Sequence, residues 1–270
     1  MKSERIPSSY DIIGSREKAV AIVEIPDELK KEEKKIAKLI MERHKNVKSV
    51  LKKISERKGI FRTRKYKLLM GERNTEVTHI EHDCKFRSDP RKVYFSLREG
   101  TERFRISRMI KPSENLLVMF SGVGPYPIII AKKQPKVKVV AIEINPKAYE
   151  YMKKNIAMNK LGDKIIPILG NVKKECKNFY GKFDRVVMPL PHKGFKFLLI
   201  AYKCLKSEGG VIHLYVIEKE ENVLNKVKKI MDDFKKKIKR NVKYSLRKVL
   251  PYAPRTNKYC VDIKLQTKSR

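Results

Sequence analysis

No stretch constrains this chain more than Leu116-Leu117-Val118-Met119-Phe120-Ser121-Gly122-Val123-Gly124-Pro125. It starts as an apolar run with no helical period and a β-branched residue inside it, which reads as a short buried strand. The run breaks at two glycines, and Ile128 to Ala131 follows at helix-compatible length. Strand, glycine turn and helix form the first unit of a doubly wound α/β domain, in which ligands bind at the carboxyl ends of the strands. Gly122 and Gly124 carry no Cβ, so a ligand can lie against the backbone there. A glycine pair between strand and helix also serves as a plain tight turn, so the remaining chain has to decide.

Downstream, strand and helix patterns alternate as a parallel sheet requires. Strands are expected at Val137–Glu143, Ile165–Leu169, Asp184–Met188 and Val211–Tyr215. Helices are expected from Asn145-Pro146 to about Asn155, at His192–Leu205 and around Glu221–Arg240. Val242–Leu250 and Tyr259–Leu265 read as a closing antiparallel pair with a turn at Pro251 to Pro254. Glu143 ends the second strand 21 residues after Gly122, the place of a carboxylate that accepts ribose hydroxyls. Asn171 follows the third strand. A dinucleotide site wants G-x-G-x-x-G, and here Gly122-Val123-Gly124-Pro125-Tyr126-Pro127 has no third glycine. That favours a nucleoside cofactor without a diphosphate, S-adenosyl-L-methionine, on the layout of a class I (Rossmann-like) methyltransferase.

The first 88 residues read as a small α+β unit. Residues 1–15 are polar. A strand at Ala19–Ile25, a helix from Glu28 to Arg43 with Leu29, Ile36, Leu39 and Ile40 inward, and a strand at Val47–Ile54 come next. Met70 to Thr75 is expected to turn the chain, Glu76–His82 to return as a strand, and Arg87–Arg91 to act as a hinge. Between them runs Arg57-Lys58-Gly59-Ile60-Phe61-Arg62-Thr63-Arg64-Lys65-Tyr66-Lys67. Cations for phosphates with aromatic rings for stacking suit a nucleic-acid surface, with a solvated basic loop as the plain alternative. Arg57, Lys58, Arg64, Lys65 and Lys67 are the candidate RNA contacts. The expected domains are 1–88, RNA-binding, and 89–270, carrying the cofactor.

Charge supports a polyanionic partner. Lys and Arg number 65 against 30 Asp and Glu, a formal net charge of +35, which a soluble enzyme of small metabolites does not need. A thermophile's lysine enrichment would raise Glu alongside, and it has not. Cys84, Cys176, Cys204 and Cys260 form no CxxC pair and read as buried thiols of a reducing compartment. His79, His82 and Cys84 cluster but lack a fourth ligand, so no metal is expected. No apolar stretch reaches the roughly 20 residues of a membrane span, and a soluble, cytoplasmic protein is expected.

Several of these stretches together resemble the archaeal and eukaryotic tRNA (guanine-37 N1)-methyltransferases. They are Tyr10–Gly14, Gly59–Arg64, Lys92–Ser96 with Glu102-Arg103, Phe120–Pro125, Ala141–Pro146, Asn155–Leu161, Lys164–Leu169, Met188–Pro191, Gly209–His213 and Tyr252–Pro254. The resemblance implies Glu102 as the general base that removes the guanine N1 proton, Arg62 as the cation facing negative charge on O6, and Tyr94 beside cofactor and base. It places Arg103, Glu143, Ile144, Asn171 and Val172 around the cofactor, where Phe120, Gly122, Val123, Gly124 and Pro189 complete the pocket. The implied partner is the tRNA anticodon stem-loop, and the implied enzyme a monomer. Plainer roles are a surface Glu102–Arg103 pair and an Arg62 that only contacts phosphate.

The sequence departs from that family in places. An acid usual at the end of the first strand is Val118, and an Asp after the third strand is Asn171, which still donates and accepts hydrogen bonds. The asparagine of the family's N-L/P-P motif is Pro189, which offers neither. A Pro-Leu-Pro version resembles an archaeal branch that also methylates a tricyclic wyosine precursor, 4-demethylwyosine, at the same position. Archaeal relatives often carry a further small domain at the tRNA's outer corner; this sequence starts at the middle domain and is expected to rely on charge and the stem-loop. The rivals are an aminocarboxypropyl transferase of the wyosine pathway, and a non-catalytic RNA-binding protein whose pocket has decayed.

Overall fold

A computed structural model describes residues 10–56 and 59–265. The N-terminal unit is a four-stranded sheet in the order β1 (Tyr10–Gly14), β2 (Ala19–Val23), β3 (Val47–Lys53), β4 (Tyr66–Gly71). β2 and β3 run parallel, joined through helix α1 (Glu33–Arg43), while both outer pairs are antiparallel. Ile36, Ala37 and Ile40 of α1 bury against Ala21, Val23 and Val50. The helix expected from Glu28 is a 3₁₀ turn over Asp27–Glu32, and α-geometry starts only at Glu33. The turn starts at Pro26 without a side-chain cap and buries none of its residues, so nothing fixes it as α-helix.

β1 and β4 went unpredicted. β4 starts inside the basic run, where Tyr66, Leu68 and Met70 alternate with Lys67, Leu69 and Gly71, and every side chain except Lys67 and Gly71 is only half-buried. β5 (Val77–Glu81) and β6 (Cys84–Ser88) form a separate hairpin. Its turn residues His82 and Asp83 have φ of 48° and 61°, the left-handed pair of a tight hairpin turn. The segment expected as a hinge is tied down: Ser88, Asp89 and Pro90 are buried, and the Thr75 hydroxyl donates to Asp89 Oδ1 at 2.6 Å.

Helix α2 (Gly100–Met109) follows a 3₁₀ turn at Leu97–Glu99. After it come β7 (Asn115–Met119), α3 (Pro125–Lys133), β8 (Lys138–Glu143), α4 (Pro146–Met158), β9 (Ile165–Leu169), α5 (Val172–Glu175), β10 (Arg185–Met188), α6 (Leu198–Cys204), β11 (Gly210–Lys219), α7 (Val223–Ile238), β12 (Val242–Ala253) and β13 (Thr256–Leu265). The sheet order is β12-β13-β11-β10-β7-β8-β9. Five strands are parallel and β13 is antiparallel, inserted between β11 and β12. Strand order reverses between β7 and β10, so the crevice for a ligand opens at their carboxyl ends.

Alternate residues of β7 serve two cores. Leu117 and Met119 join Leu214 and Phe234 on one face; Leu116 and Val118 join Ile128, Ile129 and Tyr215 on the other. Val118, where the resembling family has an acid, is wholly buried among apolar side chains. Phe86 of the hairpin also enters this second core. Asn155 of α4 and Asn159 at its C-terminal cap bond the backbone of Arg87 and Lys85 respectively. The hairpin is thereby fastened to the parallel-sheet side, while His79 Nδ1 lies 3.2 Å from the Gly14 carbonyl on the other.

Candidate active site

The glycine turn closes on Glu143. After β7 the chain enters the left-handed region at Phe120, Gly122 and Gly124, with φ of 55°, 58° and 89°. Ser121 is pinned by its hydroxyl donating to the Val118 carbonyl and by its amide donating to Ile142. Glu143 Oε2 accepts the Gly122 amide at 2.7 Å and Oε1 accepts the Asn145 amide at 2.8 Å. Burial pushes this carboxyl up, opposed by the backbone amides of Asn145, Gly122 and Ile144. Against those three amides the carboxylate's four acceptor directions leave one free. A Cβ at Gly122 would meet only the Tyr94 carbonyl, at 4.0 Å, so the turn presents open backbone. At Gly124 a Cβ would lie 3.0 Å from Met152, so that glycine serves the approach of α4. Val123 is buried against Val93, Ala148 and Tyr151. Asn171 caps α5 by accepting the Lys173 amide, and Val172 behind it is core.

Residues 92–99 run across this edge, from Tyr94 beside the turn to Glu99, which pairs with Lys258 at 2.7 Å. α2 then descends along the sheet with a buried face that is largely polar. Arg103 is 1% exposed, donates to Glu81 and to the Ser96 carbonyl, and stacks on Phe95. The structure therefore places Arg103 in an ion pair with the hairpin. Glu102 faces the other way. Arg105 holds its carboxylate bidentately at 2.7 Å to each oxygen, and the Tyr215 hydroxyl donates to Oε1 at 2.6 Å. The plainer alternative, a Glu102–Arg103 pair, does not form; Arg105, one turn on, is the partner. Glu102 remains on the wall of a cavity of about 180 Å³, lined otherwise by Arg98, Thr101, Arg105, Arg247, Lys248 and Val249.

The far rim is Pro189-Leu190-Pro191-His192, which leaves the carboxyl end of β10 half-buried to exposed. His192 meets Tyr252 edge-on, ring centroids 5.6 Å apart. Burial, then the charges of Arg62, Lys226 and Lys258, push His192 below its ordinary value. Arg62 of the N-terminal unit is thus near enough for its charge to act on His192, and its φ of 53° marks a sharp turn in the basic segment. Phe120 packs on Phe197 behind that rim.

The basic stretch is divided. Arg57 and Lys58 lie outside the described residues. Lys65 is exposed. Lys67 is also exposed but pairs with Glu33, which Lys52 shares. Arg64 is half-buried, with Nη2 3.6 Å from Glu56. Ile60 is 73% and Phe61 41% exposed, an apolar pair standing beside those cations.

A profile of the TRM5/TYW2 methyltransferase domain matches residues 77–244, and one of the TYW2 N-terminal domain matches residues 2–75. The chain belongs to the TRM5/TYW2 family. Within it, the tRNA (guanine(37)-N(1))-methyltransferase Trm5b of Pyrococcus abyssi is 38% identical over 264 residues, covering 96% of this chain and 76% of its own length. Its crystal structure superposes with a TM-score of 0.85. The tRNA (guanine(37)-N(1))/4-demethylwyosine(37)-methyltransferase Taw22 of Nanoarchaeum equitans is 33% identical, covering 83% of this chain and 89% of its own. A complex of aTrm5 with tRNALeu has 37% identity and a TM-score of 0.82, over 97% and 73% of the two chains. Pyrococcus horikoshii TYW2 in complex with MeSAdo has 25% identity and a TM-score of 0.83, over 97% and 92%.

For a TRM5/TYW2 chain, the residues around Glu102 are the ones the sequence did not yield. Arg105, Tyr215, His213 and Asp262 come from α2, β11 and β13 and form one buried network. A polar His213 and Asp262 inside apolar strands was the available signal, since buried polar groups require partners.

Proposed function

We propose that this protein methylates N1 of guanosine at position 37 of tRNA with S-adenosyl-L-methionine. The observation that carries the reading is the Phe120–Gly124 turn clasping Glu143 at the switch point of a TRM5/TYW2 sheet. The open backbone at Gly122 and the spare acceptor direction of Glu143 fit a nucleoside whose ribose reaches that carboxylate. When bound, the cofactor supplies an electrophilic methyl group on a sulfonium. Ile144, Asn171, Phe120 and Pro189 would wall the pocket around it, with Val123 and Val172 packed in the core behind them. Arg103 acts on it indirectly, by fixing α2 to the hairpin.

Guanine N1 carries a proton and is a poor nucleophile until that proton leaves, so transfer needs a positioned base. Glu102 is that base in our reading. Arg62 at the mouth faces the negative charge that gathers on O6 as the proton departs, and Tyr94 lines the passage between turn and base. Lys65, Arg64 and Lys67, with Arg57 and Lys58, hold the anticodon stem-loop by its phosphates. The protein acts as a monomer, without a metal, in the cytoplasm. The four buried free thiols suit a reducing compartment, and the clustered donors His213, Cys260 and Asp262 are already engaged with one another and with two arginines. No helix among the described residues is long and apolar enough to cross a membrane.

A second reading adds 4-demethylwyosine as substrate. It is favoured by Pro189, which places no donor against the base edge, and by the likeness to a relative named for both activities. Incubation with labelled cofactor and tRNA transcripts, with and without the wyosine precursor, followed by nucleoside mass analysis, tests both. The expected product is 1-methylguanosine with S-adenosylhomocysteine. Methylthioadenosine instead would mean aminocarboxypropyl transfer, and no heat on calorimetric titration with the cofactor would mean a decayed pocket.

A further inference from the structure

Glu102 has a difficulty built into its surroundings. A base must become neutral once per turnover, yet Glu102 is bound to a half-buried guanidinium, and an interior cation stripped of its counter-charge is strongly disfavoured. Arg105 resolves this by holding a second acid. Its Nη1 donates to Asp262 Oδ2 at 2.9 Å while Nε and Nη2 hold Glu102. Asp262 is in turn fixed: His213 Nδ1 lies 2.6 Å from its Oδ1 and Cys260 Sγ donates to the same oxygen. His213 Nε2 faces Arg185 Nη1 at 2.9 Å, and Arg185 closes bidentately on Glu114. The arginine can only donate, so Nε2 accepts and Nδ1–H donates to Asp262. The chain Glu102–Arg105–Asp262–His213–Arg185–Glu114 pairs each cation with an acid, joined through the neutral His213, across α2, β13, β11, β10 and the residue before β7.

We propose that Asp262 and Tyr215 are positioning residues for Glu102: Asp262 is the spare counter-ion that keeps Arg105 paired while Glu102 is neutral, and Tyr215 is the fixed donor that sets which oxygen works. The proposal rests on the reading of Glu102 as the base. Tyr215 occupies Oε1, so the guanine N1 proton goes to Oε2; the N1–H bonding pair stays on the ring, and Arg105 Nε releases Oε2 while Nη1 stays on Asp262. The proton then leaves Oε2 for solvent through the cavity that Glu102 lines, and Arg105 closes again. Burial holds the Tyr215 phenol far above its ordinary value, so it remains a donor throughout. Although burial alone would raise Asp262, His213 and Arg105 hold it below the usual carboxylate range.

Other charged and titratable groups face Glu102. Arg98 precedes α2, Arg247 and Lys248 come from β12, and Tyr126 of α3 and Cys260 of β13 lie behind. None of these changes in the variants below, so a shift in profile reports on the two positioning residues.

The experiment is single-turnover methyl transfer to a tRNA transcript across pH, with the full chain. Asp262→Asn keeps the shape and removes the charge, leaving Glu102 as Arg105's sole anion. The rate should fall about tenfold, and the acidic limb of the profile should move about one unit down. Tyr215→Phe removes one donor to the carboxylate, so the limb should move up by a similar amount. KM for tRNA should be unchanged in both. Opposite shifts support the clamp, because merely loosened packing would move both limbs alike or neither. If Glu102→Gln is inactive while the Asp262 and Tyr215 variants keep the parent profile, the clamp is overturned. If Glu102→Gln keeps full rate, the base assignment itself fails. Should Asp262→Asn not fold, Tyr215→Phe decides alone, and an unmoved limb overturns the proposal.

Discussion

Glu143 joins two amides that belong to different elements, Gly122 of the turn and Asn145 at the head of α4. Glu143→Gln preserves shape but turns an amide NH₂ toward one of those N–H groups. We expect cofactor affinity to fall at least about tenfold, with a stability loss of about 1–3 kcal/mol from the unsatisfied amide; titration calorimetry and urea melts separate the two. The histidines give a pH signature. His213 and His79 are pushed below their ordinary value, chiefly by burial. Unfolded histidine takes up a proton near pH 6.5 and the folded chain resists it, so the unfolded state binds more protons and stability falls as pH drops through that value. Asp262, held low when folded, adds a second loss below about pH 4 as the unfolded carboxyl protonates. Urea midpoints measured from pH 7.5 to 3 should decline in those two steps, and a flat profile between 7 and 5.5 would contradict the first.

At the scale of elements, α2 shows what patterning can and cannot reveal. Its buried face is Glu102, Arg103, Ile106 and Ser107, so a search for apolar residues at helical spacing passes it by. β7, β8 and β10 were plain from their apolar runs because both faces of each strand are covered. β6 alternates buried Cys84, Phe86 and Ser88 with exposed Lys85 and Arg87, but two of its three inward residues are not strong apolar markers. The Gly122–Glu143 pairing could be read from spacing; the Glu102–Tyr215 contact, 113 residues apart, depends on how α2 lies on the sheet. Asn155 belongs to this scale as well. It bonds Arg87 N and O in the hairpin and the Val123 carbonyl in the turn. Asn155→Ala leaves those backbone groups without partners and should cost about 2–4 kcal/mol, seen as a lower thermal midpoint together with weaker cofactor binding.

The whole molecule carries +35, so nucleic-acid affinity should be steeply salt-dependent. Exposed Lys65 is unpaired among the described ion pairs, whereas Lys67 shares Glu33 with Lys52. Lys65→Ala should flatten the log–log salt slope of tRNA binding by about one, and Lys67→Ala by less; equal changes would mean that Glu33 releases Lys67 to the RNA.

Arg103 and Glu81 have a last consequence. The guanidinium of α2 is sealed against a carboxylate of the hairpin, the hairpin is bolted to α4, and Arg98 reaches Asp11 of β1. Neither half of the chain can melt without exposing an orphaned ion from the other. Calorimetry should therefore record one transition with matching calorimetric and van't Hoff enthalpies, and heating should take the RNA grip and the methyl-transfer pocket away at the same temperature.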